Sequence, residues 1–292
     1  MDGAIVSWGA DGSGQCTPPE ENHGFIAVDA GWDHSVALRA DGSIEAWGSN
    51  TYGQCDVPVS NSGFVAVAAG SWYSLGLKAD GTLVGWGNDA YGKSTPPTPN
   101  ADFVAIDAGG GHSIGLKGDG SIVCWGLWDV GQLNVPSPNT DFVGVAAGNS
   151  TSYGLKSDGT IVAWGLGDFG LTTVPSPNAD FVAVDASNLN VMAMRSDGSL
   201  VCWGRSNVGQ TTIPEPNTGF VDISVGMDYC LALRADGTIE AWGSNDSGQC
   251  DVPAPNSSFL AVAAGGDHVL AIRAIASAVQ TSTWGRVKGL YR

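Results

Sequence analysis

The fold is decided by residues 64–100, FVAVAAGSWYSLGLKADGTLVGWGNDAYGKSTPPTPN, because a unit of this kind recurs along the chain. A Trp-Gly pair returns about every 39 residues, and an Asp-Gly pair precedes each one at a constant distance. The recurring tryptophans are Trp8, Trp47, Trp86, Trp125, Trp164, Trp203 and Trp242. A fixed period of this length indicates one supersecondary unit stacked on its neighbours.

Each unit is divided into short runs of residues. Residues 64–70 are apolar, residues 74–78 and 82–86 alternate between apolar and polar side chains, and residues 94–97 form a brief polar segment. Short runs separated by Gly, Asp, Asn and Pro predict strands rather than helices. The Asp-Gly pair at residues 80–81 is typical of a tight hairpin turn. We therefore expect four antiparallel strands per unit.

Seven such units predict an all-β fold, namely a seven-bladed β-propeller with four-stranded blades. Residues 259–273 supply only two inner strands of a last blade, and residues 2–19 supply the complementary outer strands. The N-terminal strands should therefore complete the last blade and close the ring. We assign residues 1–274 to the propeller, residues 275–292 to a C-terminal tail outside the repeat, and the periodic tryptophans to packing between blades.

Composition restricts the classes of partner. The 292 residues carry a formal net charge of −17, and the pI is about 4.2. Such a surface repels phosphate groups, which disfavours nucleic acid and anionic membranes. No apolar run reaches the ~18 residues that a membrane-spanning helix needs. The six cysteines show no zinc-site spacing and are expected to be free thiols.

The remaining general expectations are a monomer without a cofactor or metal ion. The compartment stays open at this point. No secretory leader pattern is visible, and a secreted protein in its mature form would look the same.

Antiparallel strand order places two sets of turns on one face of the ring. The inner turns join the first two strands of each blade, at residues 32–34, 71–73, 110–112, 149–151, 188–190, 227–229 and 266–268. The outer turns follow each Trp-Gly pair. Both sets differ from repeat to repeat, whereas the turns of the opposite face are nearly uniform. We call the first face the variable face and expect it to bind a partner.

The variable face is rich in aromatic and acidic residues, and Trp and Tyr are enriched at binding hot spots. The candidate partner-binding residues are Trp32, Asp33, Tyr52, Trp72, Tyr73, Asp89, Tyr91, His112, Trp128, Asp129, Phe169 and Tyr229. Most of the 12 cations precede the Asp-Gly turns of the opposite face, so the variable face should prefer a protein partner with a basic surface. Alternatively, the aromatic residues pack on one another and cap their own blades.

Two further sets of polar residues recur at equivalent positions: His34, His112 and His268, and Asp29, Asp107 and Asp185. Either set could ligate a metal ion, but hydrogen bonds between neighbouring blades explain both sets, and we expect those bonds. No nucleophile with a base, phosphate-binding loop or Ca²⁺ loop is visible, so an enzyme is the least favoured class.

Units such as Ala-Gly-x-x-His-Ser-x-x-Leu-x-x-Asp-Gly-x-Ile-x-x-Trp-Gly resemble the regulator of chromosome condensation repeat over nearly the whole ring. The short period and the endings GQLNVP (131–136) and GQTTIP (209–214) are more similar to the bacterial propeller-type β-lactamase inhibitory proteins. This second resemblance implies a secreted, seven-bladed inhibitor that binds class A β-lactamases through the aromatic and acidic loops of one face. Eukaryotic members of the repeat family act on a small GTPase or bind chromatin, and the acidic composition disfavours chromatin here.

Two classes of function therefore stay open. The first is a non-catalytic protein-binding propeller, with enzyme inhibition as its more specific form, and the alternative is a carbohydrate-binding, lectin-like propeller. A lectin of this kind would carry near-identical aromatic loops in several blades, and the loops here are dissimilar. We favour protein binding.

Overall fold

The computed structural model describes residues 3–275. Within this range the chain forms strands and two short 3₁₀ turns, Ala90–Gly92 and Asp168–Gly170, and no α-helix. In chain order the strands are β1 (Gly3–Gly9), β2 (Phe25–Ala30), β3 (His34–Arg39), β4 (Ile44–Gly48), β5 (Phe64–Ala69), β6 (Tyr73–Lys78), β7 (Leu83–Gly87), β8 (Phe103–Ala108), β9 (His112–Lys117), β10 (Ile122–Gly126), β11 (Phe142–Ala147), β12 (Thr151–Lys156), β13 (Ile161–Gly165), β14 (Phe181–Ala186), β15 (Asn190–Arg195), β16 (Leu200–Gly204), β17 (Phe220–Val225), β18 (Tyr229–Arg234), β19 (Ile239–Gly243), β20 (Phe259–Ala264) and β21 (His268–Ala274).

The strands form antiparallel sheets that follow the sequence repeat. Five sheets have three strands each, in the order inner, middle, outer, as in β5-β6-β7. The sixth sheet has the order β20-β21-β1-β2-β3-β4, and a single residue pair, Gly3 with Phe25, joins β1 to β2. The all-β propeller is thus confirmed.

The N-terminal strand closes the ring. β1 pairs with β21 over its whole length, from Gly3 opposite Ala274 to Gly9 opposite His268. The last repeat lacks an outer strand of its own, and β1 occupies that position. One N-terminal strand, rather than several, makes this closure.

The expected fourth strand is not formed in the described residues, and the reason lies in the segment after each outer strand. In the unit of residues 64–100 this segment is rich in proline, which has no N–H for a strand ladder. Asn100 takes its place, because its Oδ1 accepts from the Leu83 N–H at 2.8 Å and its Nδ2 donates to the Leu83 carbonyl at 2.9 Å. An asparagine makes the same two bonds in each of the six remaining repeats. One side chain therefore covers part of the exposed strand edge.

The cores lie between neighbouring sheets and contain the repeated Phe and Trp side chains. Phe64 and Trp86 are both buried, together with Leu38 and Ile44 of the preceding sheet. Six of the seven periodic tryptophans are buried, and Trp47 is half-buried. These positions agree with the packing role that the repeat predicts.

Hydrogen bonds connect neighbouring sheets near the axis. Carboxylates on inner strands accept backbone N–H groups of the next sheet at 2.8–2.9 Å: Asp29 from Ala69, Asp107 from Ala147 and Asp185 from Val225. Imidazole Nε2 atoms contact serine hydroxyls of the adjacent repeat at 2.7–3.1 Å: His34 with Ser74, His112 with Ser152 and His268 with Ser35, the last pair within the six-stranded sheet. Both sets make the inter-blade contacts that we expected.

The remaining sequence expectations concern thiols, the tail and membrane spans. All six cysteines are free. The tail assigned to residues 275–292 lies outside the described residues, apart from Ile275. No helix in the described part of the chain is long and apolar enough to cross a bilayer.

Candidate functional site

Strand pairing brings the inner and outer turns together on the variable face. His34, at the start of β3, is opposite Gly48, at the end of β4. The turns that flank these residues are bonded to each other, since the Ser49 N–H donates to the Asp33 carbonyl at 2.8 Å. The equivalent bond recurs in the other repeats.

The inner turns converge around the axis of the ring. The Ser71 N–H donates to the Gly109 carbonyl of the next repeat at 3.3 Å, and further bonds of this kind connect other inner turns. A cavity of about 90 Å³ at this end of the axis is lined by Trp32, Asn149 and Met227 among others. The variable face is therefore one continuous surface around the axis.

Three aromatic side chains form a cluster at one side of this surface. The rings of Trp32 and Trp72 are stacked, with centroids 5.5 Å apart and planes inclined by 9°. Tyr52 lies against Trp72 at 6.0 Å and 49°. The relative exposures of Trp32, Trp72 and Tyr52 are 38%, 37% and 51%. The rings thus pack on one another, as the alternative interpretation expected, and yet still present a large apolar area to solvent.

The exposed aromatic residues continue along consecutive outer turns. Tyr52, Tyr91, Trp128 and Phe169 follow β4, β7, β10 and β13, and their exposures are 51%, 68%, 75% and 59%. We call these four residues the aromatic arc. Four large aromatic side chains are thus exposed on consecutive outer turns of one face.

Lys93 lies beneath the aromatic cluster and was not identified from the sequence. Its side chain is buried, and its Nζ lies 5.5 Å from the ring centroid of Trp72 and 5.1 Å from that of Tyr73. The same nitrogen donates to the Gly110 carbonyl at 3.3 Å. Burial lowers the pKa of this ammonium group. The available signal was its position in the repeat, where five other turns carry glutamine.

Three candidate residues are removed from the surface by their burial. Tyr73, His112 and Tyr229 are fully buried, because the third residue of an inner turn begins the middle strand and points between sheets. The hydroxyl of Tyr73 donates to the His112 carbonyl at 2.7 Å, and that of Tyr229 donates to the His268 carbonyl at 2.6 Å. Their role in this structure is packing between repeats.

The three candidate carboxylates all lie on the variable face. Asp33 is half-buried, and burial raises its pKa. Asp89 is exposed and accepts the Ser94 N–H at 2.9 Å, which stabilises its own turn. Asp129 is exposed and accepts from Gln132 Nε2 at 2.9 Å. Each of the three aspartates is therefore at least partly accessible to solvent.

Asp33 also belongs to an acidic group of four carboxylates on the variable face. Burial raises the pKa of Asp267, as do the neighbouring carboxylates of Asp228, Asp33 and Asp246. Arg205 is their nearby counter-charge, with a nitrogen 3.9 Å from an Asp228 oxygen. This group therefore carries excess negative charge.

The other cations of the described residues are held on the opposite face. Each stacks on the phenylalanine that begins the inner strand of its own repeat, at 3.8–5.2 Å from the ring centroid: Arg39 on Phe25, Lys78 on Phe64, Lys117 on Phe103, Lys156 on Phe142, Arg195 on Phe181, Arg234 on Phe220 and Arg273 on Phe259. Within residues 3–275 this leaves Lys93, which is buried, and Arg205 as the cations of the variable face. The face is aromatic and acidic. Over the same range, no group of three His, Cys, Asp or Glu is arranged to hold a metal ion.

Comparison with known structures gives the same fold. Prp20p of Saccharomyces cerevisiae, reported with its binding properties to Gsp1p and histones, superposes with a TM-score of 0.79 at 16% identity, over 94% of this chain and 93% of Prp20p. Human WBSCR16 gives 0.74 at 15% identity, over 94% of this chain and 99% of that one. The ectodomain of the Physcomitrella patens receptor kinase CR4 gives 0.68 at 23% identity, over 82% and 68%. These similarities establish the fold alone.

Sequence comparison identifies the repeat. A search of curated proteins finds no match to the chain. The family profile described as the regulator of chromosome condensation (RCC1) repeat matches residues 25–54, 64–93, 103–132, 142–171 and 220–249. These matches cover just over half of the sequence, and the chain therefore belongs to the RCC1 repeat family.

Proposed function

We propose that this protein is a non-catalytic, protein-binding propeller that acts as a monomer and uses its variable face. The observation that carries the proposal is the stacked Trp32–Trp72 pair, which continues into the aromatic arc on a surface with little positive charge. Trp and Tyr that are rigidly placed before binding lose little entropy when a partner covers them.

The partner should combine an apolar centre with a basic rim. The apolar centre would cover the aromatic cluster and arc, and Lys or Arg side chains would approach the acidic group around Asp267. Complementary charge of this kind accelerates association and selects the partner more than it adds affinity. An interface of ordinary size, about 1,200–2,000 Å² in total, would span both regions.

The finer proposal is a secreted or extracellular bacterial inhibitor with class A β-lactamases as its target class. Its support is the resemblance of the repeat endings to the bacterial propeller-type inhibitors. We further propose that the ring has seven blades. The six-stranded sheet would then divide into two blades at the single pair of Gly3 with Phe25.

The proposal is tested by calorimetric titration of the protein against a panel of class A β-lactamases, with a glycan array run in parallel. We expect binding to a β-lactamase, and we expect Trp32→Ala and Trp72→Ala each to weaken it by at least about 2 kcal/mol, or about 30-fold. Val59→Ala is the control, because Val59 is fully exposed in the link before β5 and should leave affinity unchanged.

Association should also slow as salt is added, because exposed charges are screened within about 10 Å at 0.1 M ionic strength. Unchanged binding in the Trp32→Ala, Trp72→Ala double variant would contradict the proposed surface. Binding to glycans but to no protein would favour the lectin-like alternative.

A further inference from the structure

Five of the outer turns are closed by the same glutamine contact. The glutamine is buried, and its Oε1 accepts the backbone N–H of the residue two positions earlier at 2.8–3.0 Å. The pairs are Gln15 with Ser13, Gln54 with Tyr52, Gln132 with Val130, Gln210 with Val208, and Gln249 with Ser247. In all five turns the residue that donates to the glutamine has an ordinary, negative φ.

The two remaining outer turns lack this glutamine. Lys93 and Leu171 occupy its position, and neither side chain can accept a hydrogen bond. Both turns form a short 3₁₀ segment instead, at Ala90–Gly92 and Asp168–Gly170. The residue two positions earlier is aromatic in both cases, and it adopts a left-handed conformation, with φ of 66° at Tyr91 and 55° at Phe169.

A left-handed backbone is unusual for these residue types. Among residues 3–275, the other residues with positive φ are glycine, aspartate or serine, which are short and mostly tolerate the conformation. An aromatic side chain has no short polar group that could bond to its own backbone, and the left-handed conformation costs such a residue roughly 5- to 30-fold in the unfolding equilibrium constant. Positions of this kind cluster where function requires them.

The free protein recovers little from this strain. Tyr91 and Phe169 are among the most exposed aromatic side chains, at 68% and 59%, and neither ring stacks on another ring or a cation of the described residues. Trp128, on the turn between them, is exposed to 75%. A side chain that is strained and yet covers almost nothing has no evident role in the isolated fold.

We propose that Tyr91 and Phe169 are anchor residues of partner binding, presented outward because their turns have lost the glutamine contact. The inference rests on the proposed function, and it makes the partner's chemistry more specific. The partner should offer two apolar pockets, one for each ring, on either side of the surface that covers Trp128. The backbone is set before binding, so the rings need not be ordered during association.

The strain is tested without any partner, by urea unfolding of Tyr91→Gly and Phe169→Gly. Glycine adopts positive φ freely, so, relative to the change that Val208→Gly produces, each variant should have an unfolding equilibrium constant about 5- to 30-fold lower. Val208→Gly is the matched control, because Val208 holds the same repeat position with Gln210 as its acceptor and has ordinary φ. That variant should unfold at lower urea. A fall in midpoint for Tyr91→Gly and Phe169→Gly like that of Val208→Gly would overturn the inference.

The anchor role is tested with the β-lactamase that binds in the calorimetric panel. Tyr91→Ala and Phe169→Ala keep the left-handed backbone and remove the ring, so each should weaken binding at least 10-fold while the urea midpoint stays nearly unchanged. If both bind like the unmodified protein while Trp32→Ala with Trp72→Ala abolishes binding, the anchor role is overturned and the proposed function stands. If no member of the panel binds, the anchor role fails together with the proposed target, and the urea comparison still decides the strain.

Discussion

The indole N–H of the periodic tryptophans provides a quantitative test of how the repeats are held together. Trp86 and Trp125 occupy equivalent positions and are 7% and 8% exposed. Trp86 Nε1 donates to the Gln54 carbonyl at 2.9 Å, whereas Trp125 Nε1 has no hydrogen-bond partner among the described residues. Lys93 occupies the position of Gln54 in the repeat of Trp125, and its carbonyl accepts from the Ser113 hydroxyl.

The perturbation is Trp→Phe at each position, which removes the same atoms from two similar cores. Loss of volume should therefore destabilise both variants by a comparable amount. Trp86→Phe also loses a hydrogen bond, which contributes about 0.5–1.5 kcal/mol, because the Gln54 carbonyl keeps its second donor, Ser74 Oγ at 3.1 Å. Trp125→Phe instead removes a buried unpaired donor, which relieves a cost of about 1–3 kcal/mol.

Trp86→Phe should therefore lose more stability than Trp125→Phe by at least about 1.5 kcal/mol, the sum of the low ends of the two ranges. Urea unfolding followed by circular dichroism measures the two midpoints, and an unchanged slope with urea would show that the unfolded states are comparable. Equal losses, or a larger loss at Trp125, would refute the assignment of the indole hydrogen bonds.

Three further substitutions test the packing. Burial lowers the pKa of His112 to about 4, below its unfolded value of about 6.5, so the unfolded state binds more protons between these values and stability should fall as pH drops through that window. His112→Asn should reduce this slope by up to about 1.4 kcal/mol per pH unit, measured as urea midpoints at pH 7 and pH 5. Asp107→Ala should cost about 1–3 kcal/mol, because the buried Ala147 N–H loses its acceptor, and thermal unfolding would measure the loss. Gly70→Ala should cost about 1–3 kcal/mol in the same assay, because its Cβ would overlap the Tyr73 ring and lie 2.7 Å from the Gly109 carbonyl oxygen.

Each of these has a matched control. Asn190 occupies the His112 position in another repeat, so an unfolded His112→Asn variant would contradict the packing argument. Asp107→Ser should keep most of the stability, because Ser224 makes the same contact to Ala264 at 3.0 Å. Gly12→Ala should change stability by less than about 0.5 kcal/mol, since its Cβ would meet no atom within 4 Å.

Much of the fold was predictable because the turn residues and the apolar–polar alternation of each repeat specify its strands locally. The Asp-Gly pair at residues 80–81 predicts a hairpin, the alternation at residues 82–86 predicts an outer strand, and both are local properties of backbone and pattern. Closure by the N-terminal strand was predictable because the last repeat lacks an outer strand and the N-terminal segment supplies one. The grouping of inner and outer turns on one face followed from antiparallel order.

The number of strands per unit was not predictable from pattern alone. Residues 94–97 have the composition of a short edge strand, and yet the Asn100 side chain takes the hydrogen bonds of Leu83. Whether a backbone or a side chain satisfies a strand edge depends on which one the folded chain brings within reach.

The candidate site was likewise predictable in part, from local sequence, and in part determined only by packing. Local sequence was enough to identify Trp32, Trp72 and Tyr91 as loop residues of the variable face, because turn positions repeat with the strands. Only the packed ring determined that Tyr73 is buried and that Lys93 lies against Trp72, because both depend on contacts with a neighbouring repeat. Strand pattern and turn chemistry act within a few residues, whereas burial and side-chain partners arise between segments that are close only in the assembled ring.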